Sequence, residues 1–311
     1  MTATLSRTVP LLDSTPLLSD HAALRARAES DGYLFFRQLL PKDRILDVRL
    51  RLLGILQRHG WIQPGTDRAD GIADREAFAR VPKSDTDFCG VGIGRDAYLE
   101  VQKTREFHDL SLHPALLGAF EALYGTEVLA HPRNIARLMI STDDFTPTAP
   151  HQDFIHIQGS TKAWTAWFPL GDCPVDLGGI TPMVGSQSDG VLSYHASEGP
   201  GGLEAYLCDM PYPWAVGDYE AGDVITFSCR TVHRALPNLR PEFARLSADF
   251  RYQPANEPVD PASLQVHCDI APWEEIYADW DDRSNCYHWQ DKVVGLTDWD
   301  ESIRWQQDKI C

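Results

Sequence analysis

No part of the chain reaches the ~18–20 consecutive apolar residues a membrane-spanning helix needs, so no span is expected. The N-terminus, MTATLSRTVPLLDSTPLL, lacks a basic start followed by an unbroken apolar run, and no secretory signal is expected. Cysteine is sparse: seven residues (Cys89, Cys173, Cys208, Cys229, Cys268, Cys286, Cys311), odd in number, widely spaced and without a C-x-x-C. That excludes a zinc ribbon or a disulfide framework and predicts free thiols in a reducing cytoplasm. Positive charge is short as well. Lys and Arg total 28 against 45 Asp and Glu, a formal net charge of -17. Such a chain is repelled by phosphate backbones and anionic membranes, so neither nucleic acid nor a membrane is expected as partner. A small-molecule substrate remains, with no indication of oligomeric state. Internal repeats and low-complexity tracts are missing too.

What is present suits a globular protein. Apolar residues make up 43% of 311, enough for a substantial core. Residues 1–19, with two prolines, read as a loose arm. Asp20 caps a helix over HAALRARAESD, ended by Gly32. Tyr33-Leu34-Phe35-Phe36 reads as a strand, and Pro41 opens a helix to about Arg58, stopped by Gly60. From Trp61 to Val91 the pattern is polar and irregular and predicts an inserted or mobile loop. Gly90-Val91-Gly92-Ile93-Gly94 lacks the third glycine of a dinucleotide fingerprint and reads as a flexible turn. His113-Pro114 opens another helix, closed by Gly125.

After residue 126 short runs rich in Val, Ile, Phe, Trp and Thr alternate with turns: EVLAHP, NIARLMIS, HIQG, AWTAWFPL, GVLSYH, DVITFSC, ARLSADFRYQP. They predict a mainly β fold with flanking helices, a double-sheet jelly roll. About 20–125 would form a helical support, about 126–255 the β core, and about 256–311 a Trp-rich cover packed by its aromatics.

His151 and Asp153, in Pro150-His151-Gln152-Asp153, lie two residues apart. In an extended segment both face one way and can reach one metal ion. A third ligand is expected from His233 in Thr231-Val232-His233-Arg234. Two histidines and a carboxylate on one face suit non-haem Fe(II), with positions left for a co-substrate and oxygen. The 220–227 stretch, a turn then a buried strand, would deliver His233 at its far end. Twelve residues on, at the start of a neighbouring strand, Arg245 offers a planar fork for a carboxylate, and Ser247 faces the same way. His156 reads as structural, Asp223 as a turn cap. Ser186 lacks the G-x-S-x-G context of a hydrolase nucleophile.

Together, HQD, the WTAWFPLGDCPVDLGGITPMVGSQ block, the His233 segment and Arg245-x-Ser247 resemble the phytanoyl-CoA dioxygenase family, from about Gly32 to Tyr252. The resemblance implies a double-stranded β-helix of the cupin-like kind, with Fe(II), 2-oxoglutarate and O2. It implies His151, Asp153 and His233 as metal ligands and catalytic centre, and Arg245 with Ser247 on the co-substrate's distal carboxylate. Thr165, Gln152 and Arg137 are expected in the co-substrate pocket. Asp153 stands where related halogenases have a small residue, so the resemblance implies hydroxylation, or a related oxidation, of an unactivated C–H bond, with 2-oxoglutarate converted to succinate and CO2. Relatives read Pro-Gly-Ser-His where this chain has Val184-Gly185-Ser186-Gln187, and Asn-Gly where it has Leu177-Gly178-Gly179. With no basic cluster for CoA phosphates, a small non-CoA metabolite of secondary metabolism is expected. The alternative is a cupin-like metal-binding protein or metal-dependent isomerase without oxygenase activity, because fold does not fix function.

Overall fold

The strand Arg245–Pro254 organises the molecule. Its sequence, RLSADFRYQP, alternates polar and apolar, and a strand turns alternate side chains to opposite faces. Leu246, Ala248, Phe250 and Tyr252 enter the large core beneath the helices. Arg245, Ser247, Asp249, Arg251 and Gln253 lie on the other face, and all are buried. The polar side of the strand therefore points into the barrel.

The computed structural model describes residues 7–86, 88–142, 146–208 and 210–305. The six-stranded sheet runs Tyr33–Phe36, Val224–Ser228, Trp164–Pro169, Arg245–Pro254, Val128–Ala130, with Ile135–Met139 also paired to the long strand. All these pairings are antiparallel. Opposite lies a series of short pairings: His151 with His233, His233–Ala235 with Ile180–Pro182, Met183 with Trp214, and Trp214–Val216 with Thr8–Pro10. The second layer is antiparallel except where Thr8–Pro10 joins Trp214–Val216 in parallel, and two such layers with helices outside make a double-stranded β-helix. A second core (Tyr33, Phe35, Trp167, Ile180, Ile225, Phe227) fills the space between the layers.

The helices form where their boundary residues predict. Asp20 accepts from Ala23 N and caps His21–Asp31, and Gly32 closes it at φ 72°. Lys42–Arg58 follows Pro41, and His113 caps Pro114–Tyr124 through Ala115 N. Phe120 stacks on Tyr252, centroids 4.1 Å apart, tying that helix to the long strand.

Several expectations fail for physical reasons. The segment 61–91 is packed: Trp61 and Phe78 meet edge to face at 5.3 Å, the short helix Arg75–Phe78 buries Phe78, and Val81 and Phe88 pack partly buried against the large core. The glycine-rich turn is close-packed too. Val91 and Ile93 are fully buried, and a Cβ on Gly92 would lie 2.7 Å from Leu138 O. The helices Arg95–Gln102 and Arg105–Asp109 follow without having been foreseen. HIQG is no strand; the chain there leaves the 3-10 turn Asp153–Ile155. In the arm, Thr8–Pro10 is an edge strand; residues 1–6 and Cys311 lie outside the described residues. Among its described residues the cover holds the short α-helix Trp273–Ile276 and several 3-10 turns, and it packs Trp273 and Trp280 around His108.

The thiol expectation also needs correction. Cys89 and Cys268 form a disulfide across 179 residues, and Cys208 is disulfide-bonded as well, whereas Cys173, Cys229 and Cys286 are free. Spacing hid the pair, because two turns far apart in sequence meet only once the barrel closes. No helix among the described residues is long and apolar enough to cross a membrane.

Candidate active site

His151, Asp153 and His233 converge inside the barrel, one ligand atom of each within 4.8 Å of the others, all three buried. The elements differ from the expected ones. His151 and His233 form an antiparallel bridge, exchanging backbone bonds of 3.0 and 2.9 Å. Asp153 opens the 3-10 turn that follows. His233 begins its own strand in the minor layer, rather than ending Val224–Ser228. Arg245 starts the long strand, which neighbours Trp164–Pro169 and not Val224–Ser228.

Each histidine is oriented by its own backbone. His151 Nδ1 meets Ala149 O at 2.8 Å, and His233 Nδ1 meets Thr231 O at 3.0 Å. Carbonyls accept, so both Nδ1 atoms carry the proton and both Nε2 lone pairs are free. Those Nε2 atoms stand 3.9 and 3.8 Å from Asp153 Oδ1. Burial, reinforced by His233, pushes His151 down to about 3; burial likewise lowers His233. Both rings are therefore neutral near pH 7. Burial disfavours charge on Asp153, but Arg251 and then the two histidines hold its carboxyl well below the usual range. Neutral imidazoles with aimed lone pairs beside an ionised carboxylate are what a divalent transition metal requires.

The long strand supplies the remaining charge. Arg245 is buried, and its Nη1 donates to Ser247 Oγ at 2.7 Å. Among the described residues no carboxylate lies within 4.0 Å of it. Arg251 Nη2 donates to Asp153 Oδ1 at 3.3 Å, while its Nε and Nη1 are buried without partners.

The other expected residues each have partners within the fold. Thr165 sits opposite Arg251 and donates to Asp153 Oδ2, so it braces the triad carboxylate. Gln152 is fully buried and committed: its amide donates to Gly190 O and Arg230 O, and its oxygen accepts from Leu192 N and Tyr194 Oη. It has nothing left for a ligand. Arg137 pairs with Asp249 at 3.0 Å and donates to Gly90 O, fastening the glycine-rich turn. Ser186 accepts from Val232 N and steadies the chain beside His233. Asp223 caps its turn as expected, accepting from Glu220 N. Sequence reading missed Arg251, although the alternation R-x-S-x-D-x-R after residue 245 carried the signal.

A jelly roll that closes two buried histidines and a carboxylate around one point has the architecture of the non-haem iron oxygenases. The comparisons agree. The model of the phytanoyl-CoA dioxygenase family matches residues 28–246, and the chain belongs to that family. It is similar to 1-deoxypentalenic acid 11-beta-hydroxylase of Streptomyces exfoliatus, 27% identical over 293 residues, 90% of this chain and 94% of that protein. The Streptomyces arenae protein of the same name is 26% identical over 281 residues, 86% and 91%. Among solved structures, the epimerase SnoN in complex with Fe3+, alpha ketoglutarate and nogalamycin RO shares the fold, with TM-score 0.54, 22% identity and 78% and 87% coverage. EctD from S. alaskensis, in its apoform, shares it too, with TM-score 0.52, 18% identity and 86% and 91% coverage.

Proposed function

We propose that the chain is an Fe(II)- and 2-oxoglutarate-dependent hydroxylase of a small molecule, with His151, Asp153 and His233 holding the iron. The donor set fits: two oriented imidazoles and one ionised carboxylate occupy one face and leave the other for ligands. Bound Fe(II) supplies the oxygen chemistry, in which O2 puts one oxygen atom into succinate and the other into the product, with CO2 released. The chain's own residues bind, orient and exclude water. Arg245, with Ser247, holds the distal carboxylate of 2-oxoglutarate; Thr165 and Arg251 fix Asp153.

The single observation that carries this reading is Arg245. A buried guanidinium whose hydrogen-bond partner among the described residues is a neutral hydroxyl calls for an anion. A simple metal-binding cupin has no need of one. The similar hydroxylases support hydroxylation as the outcome. The test is succinate release from 2-oxoglutarate with and without Fe(II), and the visible charge-transfer band on adding 2-oxoglutarate to the Fe(II) protein without oxygen. Absence of that band would return the protein to the metal-binding class.

A further inference from the structure

A cavity of about 1190 Å3 lies between the 75–92 segment, the turn at 198–202 and the 133–142 stretch. Its wall reaches the metal site through His156. A Cβ built on Gly201, in the wall, would lie 3.4 Å from His156 Nε2, and the His156 ring is 5.8 Å from that of His151. Phe78, Val81, Met139 and Ile140 give the cavity an apolar side. Its charged groups fall into two sets. Arg75, Glu76 and Lys83 share one segment, where opposite charges sit close in sequence, and Glu198 lies on the turn. Arg133 stands alone on the opposite stretch.

Arg133 is partly buried and donates from Nη1 to Ala262 O at 2.9 Å. A guanidinium has five donors, and no carboxylate among the described residues lies within 4.0 Å of this one. Asp260 and Asp269 attract it from beyond that distance, and neither lines the cavity. Asp260 is already capping Ala262 N through Oδ1. Arg251 repels Arg133 while Asp260 and Asp269 attract it, and since none of the three lines the cavity, Arg133 is the charged group that the 133–142 stretch presents to it. Beside it on the wall is His267, whose Nδ1 meets Tyr98 Oη at 2.8 Å and whose charged form burial suppresses.

Resting on the oxygenase reading above, we propose that the substrate is a carboxylic acid with an apolar body, and that Arg133 binds its carboxylate while the apolar wall holds the carbon skeleton toward the iron. The apolar wall accounts for the body, and the unpaired guanidinium accounts for the head. A desolvated Arg–carboxylate pair is strong and directional, which fixes the distance from the head group to the carbon that reacts.

The test uses two acids, 1-deoxypentalenic acid and dodecanoic acid, each with its methyl ester. Binding is followed by tryptophan fluorescence, in metal-free protein and in protein loaded with Fe(II) and 2-oxoglutarate under argon. The wild type should bind at least one acid about ten- to a hundred-fold more tightly than its ester. Arg133→Met should erase that preference, and Arg133→Lys should restore part of it. In both variants the charge-transfer band should titrate with 2-oxoglutarate as in wild type. The proposal falls if neither acid outbinds its ester, if Arg133→Met keeps the preference, or if Arg133→Met weakens 2-oxoglutarate binding instead. A missing band with the acid preference intact would sink the oxygenase reading and leave the carboxylate site standing.

Discussion

Arg251 reaches across the barrel to Asp153 at 3.3 Å, and the residue facing Arg251 on the next strand, Thr165, takes the other oxygen of the same carboxylate. Asp153 is thus ionised and aimed before any metal arrives. Thr165→Val removes the neutral brace with little change in volume. Fe(II) affinity should fall about 10–100-fold, as for other partners of metal ligands. Competition against a metal-sensitive dye measures it. Arg251→Met should act through protons instead: without the cation Asp153 holds its proton to higher pH, so half-loading with metal moves to higher pH.

Arg245 and Ser247 should separate co-substrate binding from metal binding. Arg245→Met is expected to raise the KM for 2-oxoglutarate about ten- to a hundred-fold, because the lost bonds are charge-assisted. Ser247→Ala should cost about two- to ten-fold. Neither should change iron content measured by mass spectrometry. Loss of iron in Arg245→Met would mean that the guanidinium supports the metal pocket itself.

Much of this site was readable in the chain, because its signals are local. HQD, the His233 segment and R-x-S each keep chemistry-bearing residues within a few positions, and strand alternation says which way Arg245 and Ser247 face. Asp20, Gly32, His113 and Gly125 mark helix ends through the backbone bonds they complete. What stayed hidden depends on distant parts of the chain meeting. The Gln152 amide is consumed by Gly190, Leu192, Tyr194 and Arg230, none of them near in sequence. Arg133 faces a cavity whose other wall lies some fifty residues earlier. The 61–91 segment looked mobile because its apolar residues follow no single period; they serve several short turns, not one helix.

Stability should fall as the solution is acidified below pH 6.5. Burial pushes His108 and His131 down to about 4, so each is neutral when folded. Unfolded, each takes a proton near pH 6.5, so between pH 6.5 and about 4 the unfolded chain binds more protons and stability is lost. The two rings, 7% and 2% exposed, should together cost several kcal/mol, on the order of 3 each, by pH 4. Thermal denaturation across that range checks it. His108→Gln should flatten the pH dependence while lowering Tm at neutral pH, since it also loosens the contacts with Trp273 and Trp280.

The Cys89–Cys268 bond should hold the cavity wall, since both residues line it. Reduction, or Cys89→Ser, is expected to remove about 2–4 kcal/mol of stability and to lower Tm by several degrees. Substrate KM should rise while the KM for 2-oxoglutarate stays put, because Arg245 lies outside that wall. Non-reducing peptide mapping should recover the two segments joined; separate peptides would refute the pairing.

The long strand has one further consequence, for how this protein can change over generations. Its odd positions carry the buried polar side chains and its even positions pack beneath the helices. Losing or gaining a single residue there would exchange the two sets, putting arginines under the helices and phenylalanine over the iron. Only a bulge that restored the register beyond it would spare the site. The turns around the cavity carry no such register, so a length change there leaves the order of the strand's charges intact.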